Sequence, residues 1–163
     1  MARMILMTRA AFALLALILL LGAAPPTVPP RCVARGPLPD PVCTPGVVVT
    51  TDLAVVCGTP TKERRRVSDG LRRAVLEEYG IATAAGGTFE VDHLIPLELG
   101  GSNALGNLWP EAAAPPPGFH QKDEVENYLH RRVCSGVMPI EQAQREIATD
   151  WTVFLSEDPA RAR

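Results

Sequence analysis

Two short runs able to pair as strands, residues 89–95 and 107–109, are separated by a proline and a glycine pair. That interval limits what the middle of the chain can fold into. Strand alternation puts Phe89, Val91 and His93 on one face and Glu90, Asp92 and Leu94 on the other. Pro96 ends regular pairing because it has no N–H to donate. Gly100-Gly101 permit the positive φ that a tight reversal needs, and Asn107-Leu108-Trp109 provide a short returning strand. Asp92 and His93 point apart unless the strand ends or bulges between them, as strands beside active sites often do.

The remaining periodicity is helical. Ser68 reads as an N-cap and Gly80 as a stop, with Leu71, Val75 and Tyr79 at i, i+4 and i+8 between them. Arg72 and Arg73 leave that stripe. From 119 to 132 the spacing predicts a helix buried through Val125, Tyr128, Leu129 and Val133. His120 lies about 155° from the middle of that stripe, so it belongs in the first helical turn, facing what the strands present. A last helix is expected over 139–155, with Pro139 in its first turn and Ile140, Ala143, Ile147 and Trp151 inward. Upstream, 47–51 and 53–56 are β-branched runs that read as a strand pair. The sum is a small α+β domain.

The 47% hydrophobic content is partly a leader. Arg3 and Arg9 precede or flank an apolar run over 10–21, and Gly22-Ala23-Ala24 is small, the layout of a secretory signal over 1–24. At about 12 residues the run is short for a bilayer that needs roughly 20. An uncleaved anchor is the alternative, because Pro25 sits awkwardly after a cut site. Loss of the leader moves the net charge from −2 to about −4. Pro-rich residues 25–42 read as a tether, 43–157 as the domain and 158–163 as a tail. An even count of four cysteines (Cys32, Cys43, Cys57, Cys134) with export argues for disulfides, in any of three pairings. Cys43 or Cys57 bonded to Cys134 would tie the N-terminal part to the rest. The location implied is secreted, periplasmic or envelope-facing. Lys62, Arg64, Arg65, Arg66, Arg72 and Arg73 are the basic cluster, read either as a solvated face or as a phosphate-steering patch.

Two of the chain's three histidines fall in the window that starts at Asp92. Asp and His suit a divalent ion, Mg²⁺ first and Mn²⁺ or Zn²⁺ next. A separate neutral His can take a proton from water at neutral pH, and an Asn oxygen can fix its other ring nitrogen. Together these meet the needs of phosphodiester hydrolysis.

Asp92-His93-x-x-Pro96, Gly100-Gly101, Asn107-Leu108-Trp109-Pro110 and His120-Gln121-Lys122-Asp123 resemble an HNH endonuclease, over roughly residues 43–155. The flanks Leu129-His130-x-x-Val133-Cys134 and Ala143-x-x-x-Ile147-Ala148-x-Asp150-Trp151 extend the likeness to small exported bacterial HNH proteins. The resemblance implies a ββα-metal core of two strands and a helix around one ion. It implies His93 as general base, Asp92 and His120 as metal ligands, and Asn107 as the residue positioning the base and its loop. The implied substrate is nucleic acid, DNA before RNA, with little sequence preference. The family's frequent C-x-x-C zinc clamps are missing from this sequence, and residues 112–117 offer no substrate contacts.

Lys122, Arg64, Arg65, Arg72 and Arg73 are the weaker candidates for phosphate contact; the plain reading of Lys122 is a solvated first-turn lysine. Glu90 and Glu98 read as exposed carboxylates before extra ligands, His130 as a helix-flank residue, and Trp109 and Trp151 as core anchors before base-stacking platforms. The rival to an enzyme is the same fold with a decayed site, binding extracellular nucleic acid or a surface partner.

Overall fold

The computed structural model describes residues 32–81 and 89–157; the expected leader at 1–24, residues 25–31 of the expected tether, and the tail at 158–163 lie outside them. The described residues form a mixed helix and strand fold. Its helices are α1 (Leu53–Gly58), α2 (Thr61–Arg64), α3 (Asp69–Glu78), α4 (Phe119–Cys134) and α5 (Ile140–Asp150), and β1 (Phe89–His93) pairs antiparallel with β2 (Leu108–Ala112). No helix among the described residues is long and apolar enough to cross a membrane.

The expected α3 is present with both its signals. Ser68 Oγ accepts from the Leu71 N–H at 3.2 Å, and Gly80 turns the chain out of the helix at φ +64°. The largest core joins α4 to α5. Val125, Tyr128, Leu129 and Val133 of α4 pack with Ile140, Ala143 and Ile147 of α5, and with Trp151 and Phe154 from the 3-10 turn Trp151–Ser156. The stripes read from the sequence are the faces that are buried.

The 47–56 strand pair does not form. Val48 makes a single bridge to Gly101, and residues 53–58 are helical. Asp52 decides this: its carboxylate caps Ala54 N–H at 2.9 Å, and Val56 then enters the main core. The described end of the expected tether is also packed. Cys32 is bonded to Cys43, the Cys32 N–H reaches the Glu78 carbonyl at 3.1 Å, and Trp151 Nε1 donates to the Pro37 carbonyl at 2.8 Å. The second disulfide, Cys57–Cys134, spans 77 residues and ties α1 to the end of α4. The two bonds are consistent with an oxidising environment.

The β1–β2 register runs without a bulge from Phe89↔Ala112 to His93↔Leu108. Asp92 and Trp109 therefore share one face with Glu90 and Glu111, while His93 and Leu108 share the other with Val91 and Pro110. Val91 and Leu108 pack on Val75 of α3. The excursion between the strands is closed tightly. Gly100 has φ +80°, and a Cβ on Gly101 would stand 1.8 Å from the Ile95 carbonyl oxygen.

Candidate functional site

Asn107 is fully buried and uses all its hydrogen-bonding capacity on backbone. Its Oδ1 accepts from Val47 N–H (3.2 Å) and Ile95 N–H (3.0 Å), and its Nδ2 donates to the carbonyls of Ile95 (2.9 Å) and Ser102 (2.8 Å). It holds the loop and has nothing left for the His93 ring, so its expected role as orienter of that ring is corrected.

The ring belongs to Asn103. His93 Nε2 lies 3.1 Å from Asn103 Oδ1, the same oxygen accepts from Arg66 N–H at 3.0 Å, and Asn103 Nδ2 donates to the Arg64 carbonyl at 2.9 Å. The two backbone bonds fix which end of the amide is oxygen. His93 Nε2 must then carry the hydrogen, and the lone pair of the neutral ring sits on Nδ1. Burial holds the His93 pKa below its ordinary value, and the Arg65 guanidinium adds to that, against the opposing pull of Asn103 and Asp92. A neutral imidazole with a fixed tautomer is what a general base requires.

Across the ribbon, Asp92 belongs to a buried ionic cluster. Lys122, from the first turns of α4, is wholly buried, and its Nζ donates to Asp92 Oδ2 at 2.6 Å, to the His93 carbonyl at 2.7 Å and to Glu126 Oε1. Lys122 is therefore neither solvated nor free to touch a phosphate. Despite burial, its ammonium and the hydrogen bonds it makes hold the Asp92 pKa down. Glu111 lies in the same cluster, 1% exposed, with no donor reaching either carboxyl oxygen and the Asp92 carboxylate beside it. Burial pushes its pKa up to about 9, and burial pushes that of Glu126 up to about 8.

At neutral pH Glu111 is protonated in the fold and ionised in the unfolded chain, so unfolding releases a proton. The stability linked to this group is complete below the ordinary carboxylate range and drains as pH rises toward about 9, by at most about 1.4 kcal/mol per pH unit. Glu111→Gln, neutral at every pH, is expected to melt several degrees above the parent at pH 8 and close to it at pH 5, read by thermal denaturation at both values.

The other expected site residues divide. His120 is exposed in the first turn of α4, its ring 4.3 Å from that of Phe119. It does not converge with Asp92 and His93 on one point. Among the described residues the one set of three His, Cys, Asp or Glu ligand atoms all within 4.8 Å is Cys57, His130 and Cys134, whose sulfurs are committed to their disulfide. Lys122 Nζ already holds Asp92 Oδ2 at 2.6 Å, and neither Asp92 nor His120 belongs to a three-ligand set among the described residues, so the donors expected for the ion do not fit it as arranged. Arg64 is structural: its Nη1 and Nη2 donate to the carbonyls of Leu97 (2.5 Å) and Thr59 (3.1 Å). Arg65, Arg72 and Arg73 are exposed. Arg65 and Arg72 sit close enough to counter the upward push that burial, Asp92 and Asp123 exert on the Glu90 pKa. Arg65 and Arg66 line an open cavity of about 660 Å³ with Thr61, Lys62, Val67 and Ser68. Glu98 and His130 face a separate cavity of about 220 Å³, where Glu98 Oε1 is buried without a partner. Trp109 and Trp151 are core residues, 1% and 0% exposed.

Asn103, Glu111 and Glu126 were not singled out by the sequence. Glu126 carried a signal, standing four residues after Lys122 on one helix face. No family model, curated protein or solved structure matches this chain.

Proposed function

We propose that this chain is an exported phosphodiester hydrolase acting on nucleic acid, with His93 as its general base. The observation that carries the reading is the neutral His93 ring, held by Asn103 with its lone pair on Nδ1, beside an exposed Arg65. The order β1, β2, α4 supports the ββα reading: the hairpin supplies Asp92 and His93, and the helix packs a side chain onto Asp92. The basic cavity of Lys62, Arg65 and Arg66 is a surface on which a phosphate backbone could rest without base-specific contacts.

In this reading His93 Nδ1 takes a proton from the attacking water, whose oxygen bonds to phosphorus as the bond to the leaving oxygen breaks. The leaving oxygen takes its proton from solvent, Nε2–H stays on Asn103, and Arg65 offsets charge on the phosphate. No step is assigned to a divalent ion, because Lys122 already holds Asp92 Oδ2 and the expected ligands are not gathered around one point. The test is nicking of supercoiled plasmid, and cleavage of RNA, by the disulfide-bonded protein with Mg²⁺, Mn²⁺, Zn²⁺ or EDTA, beside His93→Ala. Cutting lost in His93→Ala supports the enzyme; a folded protein that cuts under none of these conditions refutes it.

The pairing of Lys122 with Asp92 also favours a second reading, a non-cutting module that binds nucleic acid through the same basic surface. Both readings expect Arg65→Ala to weaken binding to DNA of any sequence and to lower the slope of log affinity against log salt by about one, measured by fluorescence anisotropy.

A further inference from the structure

We propose that Lys122 is the resident cation of this site: its ammonium fills the nest of Asp92, Glu111, Glu126 and the His93 carbonyl that a divalent ion would otherwise enter. An ammonium has three N–H donors and no acceptor. Lys122 Nζ has one acceptor for each: Asp92 Oδ2 at 2.6 Å, the His93 carbonyl at 2.7 Å and Glu126 Oε1. The group is saturated, and its side chain is 0% exposed. The nest holds one more ligand than it can serve. Glu111 is buried against the same charges, no donor reaches either of its oxygens, and its protonated form has the Asp92 carboxylate as its neighbour. Three carboxyls and a carbonyl are hard oxygen donors, the set that Mg²⁺, Mn²⁺ and Ca²⁺ prefer, and such ions accept six or more oxygens. A lysine satisfies three of these donors from within the chain and ties α4 to β1 as it does so.

This concerns the cation of the site and holds whether or not the protein cuts nucleic acid, so its test reads binding and melting. Purified full chain with its disulfides intact is titrated with Mn²⁺, following free Mn²⁺ by electron paramagnetic resonance, and is melted in Mn²⁺ and in EDTA. The parent is expected to take up no stoichiometric Mn²⁺ and to melt at the same temperature in both. Lys122→Ala, which empties the nest, is expected to melt lower in EDTA, to bind one Mn²⁺ and to regain stability with it; adding Glu111→Gln should weaken that binding at least tenfold. If Lys122→Ala does not fold, Lys122→Arg keeps a cation in place and is expected to stay folded and indifferent to Mn²⁺. One equivalent of Mn²⁺ bound by the parent and lost in Asp92→Asn would overturn the proposal. So would a folded Lys122→Ala that binds none, or a Lys122→Arg protein that needs Mn²⁺ to fold.

Discussion

His93→Ala is expected to lower phosphodiester cleavage by about two to four orders of magnitude, the usual contribution of a positioned general base. Because His93 is 1% exposed, the variant also opens a cavity, so circular dichroism and a melting curve must accompany the rate. Asn103 gives a cleaner measure. Asn103→Ala leaves the ring in place but releases the hydrogen on Nε2, so the lone pair is no longer confined to Nδ1; residues of this supporting kind typically cost about 10–100-fold. Asn103→Asp carries a further signature. A carboxylate beside the ring favours imidazolium, so the acid limb of the rate profile should move to higher pH than in the parent. A purely structural Asn103 would change stability and leave the position of that limb alone.

The largest expected loss of stability is at Cys57–Cys134. Closing a loop of 77 residues restricts the unfolded chain far more than the 11-residue loop of Cys32–Cys43. On the chain-entropy account the first contributes about 4–5 kcal/mol and the second about 3 kcal/mol. Both Cys57 and Cys134 are exposed, so replacing the pair by serine removes little packing and leaves the entropic effect to dominate. The double variant is expected to unfold at markedly lower denaturant than the parent, and the Cys32, Cys43 double variant to fall less. Urea titrations of all three proteins, compared at their midpoints, check the order.

Much of the helical part of this fold is legible in the sequence because the signals there are local. Ser68, Gly80 and the stripes of α4 and α5 each act within a few residues. The 47–56 segment shows the limit: its β-branched residues suit a strand, but one Asp at position 52 caps a helix instead, and the long disulfide holds it. The prolines between Cys32 and Cys43 read as a tether because the contacts of Cys32 and Pro37 come from Glu78 and Trp151, far along the chain. In the site, Asp92 and His93 were legible from their spacing. The partner of the His93 ring was not. Asn103 and Asn107 lie in the same loop, and only the folded backbone shows that Asn107 is exhausted by four backbone bonds. Lys122 is the sharpest case. At about 100° per residue it lies about 45° from the middle of the α4 apolar stripe, so its spacing already turns it inward; what only the fold shows is the strand register that sets Asp92, rather than His93, toward it.

The rate of supercoiled plasmid nicking between pH 5 and pH 8 tests the role of His93 most directly. A neutral His93 with its pKa held below the ordinary value of about 6.5 should give a rate already on its plateau at pH 7, falling only on the acid side of that value, and absent in His93→Ala. A rate still rising through pH 7, or no nicking at any pH by folded, disulfide-bonded protein, would contradict it.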